Sequence, residues 1–273
     1  MNNNDPLRVA VAGLGAIGLE VARRIDAGDL PGIALVAVSA RDRTRAERRL
    51  SDFRAPPQVL SLDGLAAVAD IVVECAPAAV FLEIAESVIA QGRTLVPLSV
   101  GVLLNHPELI GRLEETGARI MVPTGALLGL DAVRAVAEGK VDSIRLTTRK
   151  PPAGLKGAPW LALNGIDIDA ITEPTRIFSG NAREAARGFP ANVNVAAALA
   201  LAGIGPERTE VEIWADPTVT RNTHRVTVEA DAARLTMTIE GIPSPDNPAT
   251  GRITALSVIA TLRRLTAPMV VGT

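Results

Sequence analysis

Apolar positions along the chain follow two rhythms, and the change between them falls at Pro123. Before it, short apolar runs alternate with stretches whose apolar residues recur at helical spacing. Leu7 to Ala12 reads as a strand and Ala16 to Ala27 as the helix that follows; Ile33 to Ser39, set off by Pro31 and Gly32, is a second strand. Asp70 to Cys75 is a further strand, Val80 to Gln91 the helix that Gly92 ends, and Thr94 to Pro97 and Arg119 to Val122 are two more strands. Strands alternating with helices predict an α/β fold with a Rossmann-type, doubly wound parallel sheet.

After Pro123 the apolar period shortens to two. Val141 to Arg149, Glu210 to Ala215, His224 to Ala230 and Arg234 to Gly241 mix β-formers with polar residues, while Asn181 to Gly188 begins a helix. This predicts a second, α+β domain with a mainly antiparallel sheet that has one wet face. Pro243, Pro245 and Pro248 precede a last helix, Thr250 to Leu265, whose apolar stripe lets it pack back on the first domain. The expected division is residues 1–123 with 246–273 as one domain and 124–245 as the other.

Composition narrows the chemistry. Nearly half of the 273 residues are apolar, and 28 Lys and Arg against 30 Asp and Glu leave a formal charge of -2. That balance gives no footing to nucleic acid or to a polybasic membrane contact, and favours a small-molecule substrate. Apolar runs such as Val195 to Ile204 are too short to span a bilayer. Cys75, the single cysteine, cannot form an internal disulfide, and Met1 to Asp5 lacks the pattern of a signal peptide, so a cytoplasmic protein is expected. The chain has no tyrosine, which removes any mechanism with a phenol as proton donor. With His106, His224 and Cys75 alone, no metal cage of histidines and cysteines is expected.

The loop Gly13-Leu14-Gly15-Ala16-Ile17-Gly18 lies between a strand and a helix, the setting that gives a G-x-G-x-x-G motif meaning. Gly13 permits the turn, Gly15 lets backbone approach a pyrophosphate, and Gly18 lets helix pack closely on strand, with the helix N-terminus facing the phosphates. A carboxylate after the second strand would grip the ribose of NAD. Here the residues are Ser39-Ala40-Arg41-Asp42-Arg43. Ser39, Arg41 and Arg43 suit the 2′-phosphate of NADP; alternatively both arginines are solvated and Asp42 reaches the ribose. Cys75-Ala76-Pro77 ends a strand where the cofactor crevice is expected, with Cys75 a packed side chain rather than a nucleophile.

Among proton-transfer groups, His224 enters a strand of the second domain, whereas His106 reads as the start of a surface helix. Asn192 and Asn194 precede an alanine-rich helix and either cap it or use a carboxamide to grip nicotinamide or substrate. Arg149 and Lys150 are either an exposed strand end or cations for an acidic substrate.

Taken together, the glycine loop, Pro123-Thr124-Gly125-Ala126-Leu127-Leu128-Gly129-Leu130-Asp131-Ala132, Thr148-Arg149-Lys150-Pro151-Pro152, Phe189-Pro190-Ala191-Asn192-Val193-Asn194-Val195-Ala196-Ala197 and Asn222-Thr223-His224 resemble the L-aspartate dehydrogenase family. That family is similar in plan to homoserine dehydrogenase and dihydrodipicolinate reductase. The resemblance implies NAD(P)-dependent, reversible oxidative deamination of L-aspartate to oxaloacetate and ammonia through iminosuccinate, by a homodimer. It implies that His224 is the catalytic histidine and that Ala126 and Asn194 contact the dinucleotide. Thr124, Gly125, Lys150 and Asn192 are the candidate substrate contacts. Thr124 departs from the Ser or Cys of some members and adds a methyl group to the pocket. Two other readings stand beside this one: a dehydrogenase or reductase of another small amino or keto acid, and a dinucleotide-binding regulator without catalysis.

Overall fold

The computed structural model describes residues 5–127, 129–191, 193–244 and 247–272. They form two compact units. The first holds the chain up to Ser99, His106–Pro123 and Thr254–Val270; the second holds Val100–Asn105 and Thr124–Ile253 with Val271 and Gly272.

The first unit is built on six parallel strands: β1 (Leu7–Ala12), β2 (Ile33–Ser39), β3 (Gln58–Val59), β4 (Ile71–Glu74), β5 (Thr94–Pro97) and β6 (Arg119–Ile120), in the order β3-β2-β1-β4-β5-β6. The order reverses at β1, so the carboxyl ends of β1 and its neighbours border the crevice where such sheets bind dinucleotides. Helices α1 (Ala16–Asp26), α2 (Arg43–Leu50), α3 (Leu65–Val68) and α4 (Phe81–Ala90) link these strands. After α5 (Val100–Leu103), which belongs to the second unit, α6 (Pro107–Thr116) leads into β6. Val9, Val11, Val73 and Val96 of the sheet share one core with Val21, Ala22 and Ile25 of α1. Strands buried on both faces read as unbroken apolar runs, which is why β1 and β4 were legible.

The second unit contains α7 (Leu130–Ala137), α8 (Pro159–Leu163), α9 (Ala182–Gly188) and α10 (Asn194–Ala202) with β7 (Val141–Lys150), β8 (Thr175–Asn181), β9 (Thr209–Ala215), β10 (Asn222–Ala230) and β11 (Arg234–Gly241). The sheet order is β11-β10-β7-β9-β8. Only the β7–β9 pairing is parallel; the other three are antiparallel. The inward face carries Ile144, Leu146, Thr148 and Lys150 from β7, and His224, Val226 and Val228 from β10. Helices α9 and α10 contact β9, and α7 contacts β10.

Several features differ from what the sequence predicts, α2 and β3 among them. β8 escapes a period-two search because its register shifts between Arg176 and Phe178, which buries the consecutive Ile177 and Phe178. The last helix, α11 (Ile253–Thr266), starts later than Thr250 because β13 (Asn247–Gly251) pairs with β12 (Pro243–Ser244). Its Val258, Ile259 and Leu262 join the core of the first unit. Val100–Asn105, expected in the first domain, packs in the second, where the Gly101 N–H donates to Asn194 Oδ1 at 3.0 Å.

Candidate functional site

In the first unit the three loop glycines have separate roles. Gly13 has φ +97°, and a Cβ there would lie 2.7 Å from the Cys75 carbonyl oxygen. At Gly18 a Cβ would come within 1.9 Å of the Gly13 carbonyl oxygen, so helix and loop pack only without a side chain. Gly15 is different: nothing lies within 4 Å of its Cβ position. Open space beside a glycine, at a helix N-terminus whose cap residue makes no side-chain hydrogen bond, fits a pyrophosphate. Ala16 and Ile17 supply the first-turn N–H groups.

At the end of β2, Ser39 is buried and its carbonyl accepts from Gly13 N–H at 2.8 Å, while Arg41 is exposed. Asp42 is committed to local structure: it N-caps α2 by accepting from the Arg45 N–H at 2.9 Å. Arg43 pairs with Glu47 one turn on. A further cation, Arg49, reaches back to the Leu14 carbonyl of the glycine loop at 2.5 Å. Sequence spacing gave no sign of that contact.

Cys75, Ala76 and Pro77 follow β4. The surroundings of Cys75, desolvation first and then the Glu74 charge, push its thiol well above its ordinary range, which disfavours the thiolate. Glu74 itself is wholly buried, and nothing in the sequence singled it out. A glutamate closing a strand that is otherwise Ile-Val-Val was the available signal.

In the second unit, His224 of β10 lies directly opposite Thr148 of β7, with Thr148 Oγ1 3.0 Å from His224 Nδ1. Both are buried, as is Lys150, two positions along the same face. If Nδ1 accepts from the hydroxyl, Nε2 carries the proton; if Nδ1 donates, Nε2 is the base. Either way the hydroxyl fixes the ring plane. Burial first, and the Lys150 charge second, push the His224 pKa down to about 3, so the imidazole is neutral at pH 7. Burial lowers Lys150 to about 8.

Arg149 does not join this group. Successive strand residues point to opposite faces, and its guanidinium pairs with Asp216 at 3.2 Å and lies 4.6 Å from the Trp214 ring centre. Asp216 also accepts from the Thr218 hydroxyl, which with that pairing holds its carboxyl below the usual range. His106 contacts Glu108 at the start of α6 and has no part here.

Thr124 is exposed, and Gly125 (φ +63°) and Ala126 are half-buried in a turn that the Leu127 N–H closes on the Thr124 carbonyl at 3.1 Å. The Asn194 carboxamide oxygen is taken by Gly101, which leaves its nitrogen as the group that would meet a ligand. Asn192 lies outside the described residues.

The parallel sheet with its glycine loop and the buried histidine face define the class of nicotinamide-dependent dehydrogenases with a Rossmann unit and a separate mixed-sheet unit. Residues 13–123 match the family described as homoserine dehydrogenase, NAD binding domain, and residues 131–265 match aspartate dehydrogenase, C-terminal. The chain belongs to the L-aspartate dehydrogenase family. It is 55% identical over 270 residues to L-aspartate dehydrogenase of Bradyrhizobium diazoefficiens, covering 99% of this chain and 95% of that one. It is also 55% identical over 273 residues to L-aspartate dehydrogenase 3 of Bordetella bronchiseptica, covering both chains fully. In fold it is similar to the crystal structure of aspartate dehydrogenase from Thermotoga maritima, with TM-score 0.74, 24% identity, and coverage of 97% of this chain and 99% of that one.

Proposed function

We propose that the protein catalyses the reversible oxidative deamination of L-aspartate to oxaloacetate and ammonia, through iminosuccinate, with NAD or NADP. The observation that carries this reading is the buried His224, neutral and oriented by Thr148, sharing a face with a buried lysine. The 55% identity to L-aspartate dehydrogenases over the full chain supports the substrate.

When bound, the dinucleotide supplies the hydride acceptor at its nicotinamide ring. Gly13, Gly15, Ala16, Ile17 and Gly18 bind the pyrophosphate, and Cys75, Ala76 and Pro77 line the crevice beside them. Ser39, Arg41 and Arg43 receive the 2′-phosphate of NADP. The Asp42 carboxylate caps α2 through Oδ1, a structural use that accounts for it without a ribose contact and so supports NADP use. Ala126 and the Asn194 amide nitrogen contact the dinucleotide. Thr124, Gly125 and Lys150 hold the substrate, with the Lys150 ammonium on a carboxylate. Once hydride has left Cα, His224 takes a proton from the water that attacks the protonated imine carbon and returns it to nitrogen; the carbinolamine hydroxyl then gives up its proton to solvent as the carbonyl forms and ammonia leaves. A neutral imidazole is the form this step needs.

The lone cysteine and near-balanced charge support a cytoplasmic setting, and the prevalence of twofold assemblies supports a homodimer. No helix among the described residues is long and apolar enough to cross a membrane. The test is an absorbance assay of NAD and NADP reduction with L-aspartate, and of the reverse reaction with oxaloacetate and ammonia. Turnover with aspartate well above that with homoserine and other amino acids is expected. Preference for another acid would replace the substrate, and dinucleotide binding with no turnover would point to a regulatory protein.

A further inference from the structure

Among the described residues, Glu74 is wholly buried and ionisable, and the mechanism leaves it unused. Glu74 closes β4, and its carboxylate accepts four hydrogen bonds. Oε1 accepts from Ala76 N–H and the Ser99 hydroxyl, both at 3.1 Å; Oε2 accepts from Leu98 N–H at 3.1 Å and Ser99 N–H at 2.8 Å. The two oxygens therefore join the turn after β4 to the chain leaving β5. That turn is in turn fitted to the glycine loop, since a Cβ on Gly13 would lie 2.7 Å from the Cys75 carbonyl oxygen and 3.0 Å from the Ala76 Cα.

We infer that Glu74 is a positioning residue for the dinucleotide: its carboxylate holds the Cys75-Ala76-Pro77 turn at a fixed height against the glycine loop and anchors it to the end of β5. The inference rests on the reading that this turn lines the cofactor. A buried carboxylate is costly to desolvate, and burial does raise the pKa of Glu74, with the hydrogen bonds from Ser99, Leu98 and Ala76 opposing that rise. A site that needed only packing would be filled by an apolar side chain. Leu98 N–H also donates to the Glu74 backbone carbonyl at 3.1 Å, but an apolar side chain cannot satisfy the Ala76 and Ser99 N–H groups, which lie in two separate segments, at once.

Glu74→Gln separates the two halves of the clamp. Its amide oxygen, set toward β5, still accepts from Leu98 and Ser99, and its nitrogen donates to the Ser99 hydroxyl. The same nitrogen then meets Ala76 N–H donor against donor, so the turn is released while the sheet stays joined.

The experiment is a fluorescence titration of the full-length protein with NADH and NADPH, with thermal unfolding measured without cofactor. The Glu74→Gln variant is expected to bind both about tenfold more weakly, the scale of one buried hydrogen bond lost, with Tm within a few degrees of wild type. A residue of structural importance alone would lower Tm and leave the Kd of the folded protein unchanged, and that result overturns the inference. Should the variant not fold, amide exchange in the wild-type protein decides: slow exchange at Ala76, which lies outside any strand, is expected, and fast exchange overturns it. Wild-type protein that binds neither NADH nor NADPH would overturn the cofactor reading and this inference together. Wild-type binding matched by the variant overturns this inference alone.

Discussion

Thr148 Oγ1 lies 3.0 Å from His224 Nδ1, and the two residues face each other directly across the β7–β10 pairing. The contact fixes the imidazole plane by a neutral hydroxyl rather than a carboxylate. A carboxylate would raise the histidine pKa; the hydroxyl leaves burial and Lys150 free to lower it.

His224→Ala is expected to reduce kcat by about a hundredfold or more, the range for loss of a general acid–base group, with dinucleotide Kd near wild type. Thr148→Ala should reduce kcat by about tenfold and Thr148→Ser should recover most of it, since serine keeps the hydroxyl. Steady-state kinetics beside cofactor titration checks both; wild-type kcat in His224→Ala removes the histidine from the chemistry.

Stability should report the same imidazole. Native His224 remains neutral down to about pH 3, whereas the unfolded chain protonates it near 6.5. Below pH 6.5 the unfolded state therefore binds more protons, and stability falls as pH drops from there toward 3. The urea midpoint of wild type should fall more steeply than that of His224→Asn between those limits. Parallel curves would mean that the folded histidine takes up the proton.

Lys150 titrates at the opposite end. With its pKa lowered to about 8, its charge is present at neutral pH and lost as pH rises through that value. The KM for aspartate should rise across that interval. Lys150→Met should raise KM at neutral pH by about tenfold or more, the scale of a charge-assisted hydrogen bond, and flatten the dependence. A KM in the variant equal to wild type would show that no substrate carboxylate meets this ammonium.

The glycine loop allows its structural and binding roles to be pulled apart. Gly18→Ala places a methyl 1.9 Å from the Gly13 carbonyl oxygen and should lower Tm as well as cofactor affinity. Gly15→Ala meets nothing within 4 Å, so Tm should hold while the Kd for NAD and NADP rises. Calorimetry with cofactor titration separates the two; an unchanged Kd in Gly15→Ala would move the pyrophosphate elsewhere.

Cofactor choice has its own test. Arg41→Ala and Arg43→Ala should weaken NADP more than NAD, whereas Asp42→Ala should cost about 1 kcal/mol of stability through the lost helix cap and leave the preference for NADP unchanged. Equal losses of both dinucleotides in the arginine variants would remove the 2′-phosphate contact.

The sequence by itself determined the parallel sheet, the glycine loop and the strand that carries His224, because each is written locally. Strands buried on both faces are apolar throughout, a phosphate loop is a run of neighbours, and a half-buried strand alternates. What only the tertiary structure decided was partnership. α2, with Ala46 and Leu50 its only buried residues, has too little apolar stripe to be read as a helix, yet it takes Asp42 as its cap and sends Arg49 to Leu14. Lys150 and Arg149, adjacent and alike in the sequence, part company because a strand turns one inward toward the His224 face and the other to Asp216 and Trp214. Thr148 meets His224 across 76 residues of chain, and Glu74 meets Ser99 across 25. Strand register sets the first of these contacts and burial holds the second, and both are products of the folded chain as a whole.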